Sequence, residues 1–370
     1  MPVFILNPML LARLLFCVSA VVAGNQGRAV STDMTRTSVA YRSLRRCLLW
    51  ISFLFLLCAA PAAQAQTCFN GPELDGPAKN AIESAARRYL DMSARGDVAG
   101  LKANAIPEIA SVFGAIEQAV VTNKEALAGA EPTIAGTYLL DASQAKAALP
   151  RANFYCGVYN SADRISFSIP DLPPGRYAIV LQKVYGKEPI TLTLILQDMA
   201  GTWKLAGYYP RLNSIGGHDG QWYLTKAREF KSKGELHNAW FYYLTAWDLL
   251  APVDFMSTPQ LDKIADEMQA TRPNDLPNTG APMSLSASGK VFKVTEITPV
   301  PVDNNVALRI LHVTPDAANP RLANQDNLAV IKAIVAKYPE LRDAFSAVVA
   351  LAEDDSGHDY GSVLPMKDVK

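Results

Sequence analysis

Residues 190–209, ITLTLILQDMAGTWKLAGYY, decide the fold. Two runs rich in β-branched and apolar residues, Ile190 to Asp198 and Thr202 to Tyr209, flank a turn at Gly201, which is the pattern of a β-hairpin. Upstream, the same composition predicts strands at Gly136 to Leu140, Asn153 to Tyr159, Arg164 to Ile169 and Tyr177 to Tyr185. Turn signals at Asn160-Ser161, Pro173-Pro174-Gly175 and Gly186-Lys187 separate them. Before the strands the period changes. Ala81, Ile82, Ala85, Tyr89, Leu90 and Met92 recur at three and four residues, predicting a helix from Pro77 that Gly96-Asp97 ends. A second helical stretch is expected over Ala105 to Gln118, with Pro107 in its first turn. Two helices followed by a strongly curved antiparallel sheet is an α+β order, not the alternation of a parallel sheet.

The ends of this region carry a resemblance. Ala86-Arg87-Arg88-Tyr89-Leu90 with Gly96-Asp97-Val98 and Leu101 opens it, and Gly201-Thr202-Trp203-Lys204-Leu205-Ala206-Gly207-Tyr208 closes it. Over about residues 77–210 the chain resembles the cone-shaped fold typified by nuclear transport factor two and the SnoaL-like proteins. The resemblance implies a cone-like domain over 66–215 in which a long helix closes a bent sheet and leaves a pocket at the wide end. Family enzymes set an Asp, His or Tyr combination inside the cone, and no such set can be matched in this sequence.

Next, Tyr223, Ala227, Phe230, Gly234, Leu236, Ala239, Tyr243, Ala246 and Pro252 are spaced like a single tetratricopeptide repeat. In such a repeat, small residues let two antiparallel helices approach. Helices are expected at Gly220 to Ser232 and Glu235 to Leu250, with a third at Pro259 to Met268, making a 216–270 segment. One repeat cannot bury its own face, so the hairpin is expected to lie against the cone or against another protein. Residues 271–288 have linker composition. Residues 289–370 read as a small α+β unit, with strands at Lys290 to Pro299 and Val306 to Thr314, a helix at Gln325 to Lys337, and strands at Phe345 to Leu351 and Gly361 to Met366.

Residues 1–65 stand apart. Arg42, Arg45 and Arg46 precede the apolar run Cys47 to Ala60, which ends in Pro61 and Ala63-Gln64-Ala65. That is the order of a secretory signal, with cleavage expected before Gln66 and a periplasmic or secreted product. The apolar core falls short of the ~20 residues a spanning helix needs, so no stable membrane insertion is expected after cleavage. The earlier run Val3 to Ala23 is broken by Asn7, Pro8 and Arg13, and Met34 is a candidate true start. Neither Cys58 nor Cys68 follows the small residues that usually precede a lipid-modified cysteine. Six of the 35 basic residues and one of the 35 acidic residues leave with the leader, which gives the remainder a formal charge of −5. A mildly acidic chain without a basic stripe argues against a nucleic-acid partner. Of five cysteines only Cys68 and Cys156 remain, and in an oxidising compartment they are expected to pair.

Catalytic patterns are few. His218, His237, His312 and His358 have no metal-ligand spacing with one another or with cysteine, so neither metal nor cofactor is expected. Glu353, Asp354, Asp355, His358 and Asp359 around Gly357 read as a solvated hairpin tip in preference to a hard-cation site, and Gly216-Gly217-His218-Asp219-Gly220 as a flexible joint with Asp219 capping a helix in preference to an anion site. Dinucleotide-binding glycine and nucleophile-elbow fingerprints are absent. The aromatic set Tyr138, Tyr155, Tyr159, Phe167, Tyr177 and Tyr185 is either sheet core or pocket lining, with Tyr155 and Tyr177 as candidate ligand contacts. Trp222, Trp240, Tyr242 and Trp247 exceed what one helix pair consumes and are candidate partner contacts. The sequence therefore points to an exported, non-catalytic protein that binds a protein partner or a small ligand through hairpin and cone. The alternative is a cone-fold isomerase, dehydratase or hydrolase.

Overall fold

The computed structural model describes residues 66–129, 132–158, 161–186, 188–278 and 280–370. The leader, with its signal and the candidate start at Met34, and Tyr159 of the aromatic set lie outside the described residues. The first half runs β1 (Gln66–Asn70), α1 (Gly76–Arg95), α2 (Val98–Ala103), α3 (Pro107–Ser111), α4 (Gly114–Leu127), β2 (Pro132–Asp141), β3 (Leu149–Cys156), β4 (Ile165–Leu172), β5 (Arg176–Val184), β6 (Ile190–Met199) and β7 (Thr202–Leu212). A short ribbon, β8 (Ser214–Ile215) with β9 (His218–Asp219), leads to α5 (Gly220–Ser232), α6 (Leu236–Leu250), β10 (Met256–Ser257) and α7 (Pro259–Gln269). The last part is β11 (Met283–Ala287), β12 (Lys290–Val302), β13 (Asn305–Val313), α8 (Pro320–Lys337), β14 (Ala347–Glu353) and β15 (Asp359–Pro365). The class is α+β, as the order of helices and strands in the sequence requires, and its main element is a strongly curled half-barrel sheet.

Helix α1 is bounded by its own sequence. The Asp75 carboxylate accepts the Ala78 N–H at 2.7 Å, and Gly96 ends the helix at φ 69, a left-handed conformation that glycine adopts without a Cβ clash. Its apolar face, with Ile82, Ala86 and Tyr89, packs with Val120 and Leu127 of α4 onto Ala178, Val180, Leu192, Leu194 and Leu205 of the sheet. The single helix expected over Ala105–Gln118 is a correction: the chain there makes α3 and the start of α4. Pro107 disfavours helical backbone at Ile106, which is extended, and the Ile106 N–H instead donates to the Leu205 carbonyl at 2.9 Å.

The eight-stranded sheet has the order β10-β4-β3-β1-β2-β5-β6-β7. Strand β1 is antiparallel to β2 and parallel to β3, so it joins the two portions of the sheet. The Cys68–Cys156 disulfide ties β1 to β3 with a Cα separation of 5.2 Å. The face away from α1 carries Tyr138, Leu140, Phe154, Phe167, Tyr177 and Ile179, and it is closed by Val253 and Met256 from the segment after α6. That segment adds β10 to the β4 edge, and the Ser168 N–H donates to the Phe255 carbonyl at 2.8 Å.

The second sheet has the order β11-β12-β13-β14-β15, with β13 and β14 parallel and joined through α8. Tyr223, Ala227, Phe241, Tyr242 and Ala246 of the helical hairpin share one core with Phe292, Val294, Leu308, Ile334, Leu341, Phe345 and Val348 of this unit. The hairpin therefore buries one face mainly on the C-terminal unit, because Leu341 and Phe345 offer it an apolar end wall. The 271–288 segment is also more than a linker. Leu276 and Leu285 enter the same core, and Met283–Ala287 pairs with β12 despite the surrounding Pro and Asn residues.

Candidate functional site

Inside the curl of the half-barrel, Tyr138 and Phe167 meet edge to face at 5.2 Å, and both are buried. The Tyr177 hydroxyl donates to the Pro173 carbonyl at 3.0 Å and accepts from the Gln197 amide at 3.2 Å. Burial pushes the pKa of both phenols up, with Glu108 adding to the effect on Tyr177. Tyr155 and Tyr185 are 59% exposed and face away from that core. The cone pocket that the resemblance implied is thus packed with apolar side chains and phenols, with Val253 and Met256 as its plug. Among the described residues the one buried carboxylate is Asp326, which lies in the C-terminal unit.

Of the four hairpin candidates, Trp222 and Tyr242 share one aromatic cluster around Tyr223, their ring centres 6.5 Å apart. Tyr242 is buried; its hydroxyl donates to the Ala344 carbonyl at 2.7 Å, and burial, then Tyr223, push its pKa up to about 12. Trp222 is half-buried and stacked on His218 at 3.7 Å, with Lys226 Nζ 5.7 Å from its ring centre. Trp240 is half-buried beneath the Arg272 guanidinium at 5.5 Å, and Trp247 is half-buried on the rim of the same core. The structure therefore does not bring Trp222, Trp240, Tyr242, Trp247, Tyr155 and Tyr177 together at one site. Asp219 does cap α5, accepting the Trp222 N–H at 2.9 Å. Asp354 and His358 bond to each other at the β14–β15 hairpin tip.

A polar network in the C-terminal unit invites comparison with a catalytic triad. His312 Nε2 lies 2.7 Å from Asn327 Oδ1, and the Asn327 amide donates to the Tyr360 carbonyl at 2.9 Å and to Ser362 Oγ at 3.0 Å. Asp326 accepts from the Thr314 hydroxyl at 2.8 Å and from Lys290 Nζ at 2.8 Å. No proton relay results, because the imidazole faces an amide rather than a carboxylate and the serine faces the same amide. Burial holds the His312 pKa down, so the ring is neutral in a site that rewards neutrality.

A groove of about 590 Å³ lies open between α1 and β2. Lys79, Glu83 and Arg87, four residues apart, form one wall, Pro132 to Tyr138 form the other, and Asn70 and Gly71 close one end. The Thr137 hydroxyl donates to Glu83 Oε1 at 2.9 Å, and Lys79 Nζ is 4.0 Å from the same oxygen. Arg87 is exposed and makes no ion pair among the described residues. Strand β1 pairs with β2 only from Asn70↔Tyr138 to Thr67↔Asp141, so Pro132 to Thr137 have β5 on one side and no strand on the other among the described residues. Gly136 is required here, since a Cβ would sit 2.7 Å from the Tyr138 hydroxyl. Sequence reasoning missed this groove. Its only local signal is a charged helical stripe, which solvated faces share, and the free strand edge depends on pairings made about 70 residues apart.

Among the described residues no group of three or more His, Cys, Asp or Glu is placed to hold a metal ion. No helix among them is long and apolar enough to cross a membrane. Comparison with protein families, with curated proteins and with solved structures finds no match to this chain.

Proposed function

We propose that the chain is an exported, non-catalytic binding protein, and that it receives a protein partner in the groove between α1 and β2 rather than inside the half-barrel. The carrying observation is the contrast between the two places: the interior is filled by Tyr138, Phe154, Phe167 and Met256, whereas the groove is open and within the usual size range of ligand sites. The signal-like leader and the Cys68–Cys156 bond support export, since disulfides persist in oxidising compartments. The rival reading, a cone-fold enzyme, needs ionisable groups converging in an enclosed pocket, and the half-barrel core supplies phenols without a carboxylate or imidazole.

Photo-crosslinking in the exporting cell tests this reading, with a photoreactive residue placed at Thr133, Arg87 or Trp240 in turn. Protein adducts are expected from Thr133 and Arg87. Adducts from Trp240 alone would move the contact to the hairpin, and none from any position would defeat the proposal. Export is checked on the same material by N-terminal sequencing, which is expected to begin at Gln66.

A further inference from the structure

Building on that binding reading, we infer that the groove takes an extended acidic peptide segment, added as a further strand to the free edge of β2. Three observations converge. First, a strand paired antiparallel on one side turns the N–H and C=O of every second residue to the other side, and over Pro132 to Thr137 those groups meet no strand among the described residues. An extended peptide would satisfy them as main-chain recognition of this kind does elsewhere.

Second, the lane is already laid. Strand β1 runs along this same edge of β2 as far as Asn70 and then leaves it at Gly71, whose φ of 51 turns the chain away. A short segment entering beyond Gly71 continues that lane. Pro132 and the irregular register between Ile134 and Gly136 interrupt the edge, which disfavours long edge-to-edge pairing with a second copy and leaves room for a few residues.

Third, the wall selects charge. Glu83 is engaged by Thr137 and Lys79, so the cationic groups that remain for a ligand are Arg87 and the free side of Lys79. Eight residues along a helix place them about 12 Å apart. Alternate side chains of a strand on one face are about 6.7 Å apart, so residues four apart in the peptide span about 13 Å. Carboxylates at positions i and i+4 of the bound segment therefore match the two cations.

The test uses the full chain purified from the exporting cell and a labelled probe, Val-Glu-Val-Thr-Val-Glu-Val, beside the same probe with Lys in place of Glu. Fluorescence anisotropy is expected to show the acidic probe binding about tenfold or more tightly, weakening as salt rises to about 0.3 M. Arg87→Glu at an exposed position and Lys79→Gln at a half-buried one, which leaves Glu83 without a new like charge, are each expected to reduce that affinity about tenfold. Hydrogen exchange is expected to slow over residues 132–137 when the acidic probe is present. Equal binding of the two probes, no added protection at 132–137, or full competition by free glutamate would overturn the inference. If Thr133 crosslinks a partner in cells while the acidic probe fails, this inference falls and the binding reading stands; if both fail, both fall.

Discussion

The half-barrel and the C-terminal sheet keep their strands in register by different means. In the half-barrel the vulnerable strand is β1, five residues long and paired with β2 and β3, which lie far along the chain, and it is held by a covalent bond across a separation of 88 residues. In the C-terminal unit two hydrogen-bonded groups, His312–Asn327–Ser362 and Thr314–Asp326–Lys290, are built on adjacent residues of α8, and no disulfide is present there among the described residues. The first device acts chiefly on the unfolded chain by removing loop entropy. The second acts on the folded state, since any other register strands several polar groups away from water. Polar side chains in the half-barrel core, by comparison, bond mainly to backbone carbonyls: the Gln182 amide donates to the Ala86 carbonyl at 3.3 Å, and the Tyr89 hydroxyl to the Trp203 carbonyl at 2.9 Å.

The sharpest way to break this contrast is to remove the disulfide. Replacing Cys68 and Cys156 together with Ser is expected to cost roughly 4–5 kcal/mol on the chain-entropy view. Urea unfolding measures the loss, and hydrogen exchange should show β1 and β3 opening while β12 to β14 keep their protection. Equal loosening of both sheets would mean that the bond supports the whole molecule. Next in size, Asn327→Ala strands the His312 ring nitrogen and deprives Ser362 of its amide donor, with an expected cost of about 2–3 kcal/mol and exchange confined to the C-terminal unit.

The His312 pKa is lowered by burial, with Asn327 and Asp326 opposing, so below about pH 6.5 the unfolded chain binds a proton that the folded chain refuses. Stability from this group is complete above that pH and declines as pH falls toward the folded value, by no more than about 1.4 kcal/mol per pH unit. Urea midpoints across pH 5–7 should show the decline in the native chain and lose it in His312→Gln. The smallest effect expected lies between the sheets. Glu267 is clasped by Arg228 at 2.8 Å twice and accepts from the Tyr243 hydroxyl, and the Arg228 bond, then that hydroxyl, hold its pKa down. Because Arg228 is partly exposed, Glu267→Gln should cost about 1 kcal/mol or less. The contribution is present above the ordinary glutamate pKa and is lost as pH falls through the lowered folded value, so the variant should differ from the native chain near neutrality and converge with it in acid.

Strands β6 and β7 were legible because Ile190 to Tyr209 are rich in β-branched and apolar residues around one glycine turn, and the α5–α6 hairpin because small and aromatic residues repeat at helical spacing. Cys68 and Cys156 could be paired by counting. Strand β1 was not legible: Gln66-Thr67-Cys68-Phe69-Asn70 has no two-residue alternation, and its partners are fixed by tertiary pairing alone. The same holds for β10, two residues long, and for the groove, whose edge exists because β1 stops at Asn70. Pro107 was read as tolerated in a first helical turn, and it is at the start of α3, but its effect on Ile106 and the approach of Leu205 split what followed. The apolar wall that absorbs Tyr242 lies about 100 residues further on, where no local pattern announces it.

Among the described residues, strand β1 is the one strand that bridges the β10-β4-β3 portion of the half-barrel and the β2-β5-β6-β7 portion. In the exported form proposed above, an exopeptidase that nibbles Gln66 to Asn70 would not fray a margin; it would remove the strand between two portions of one sheet. A mechanical load applied at the front of the chain meets two ladders in shear and passes through the sulfur bridge into β3. Tugging on the leading end is thus a probe of the deepest seam.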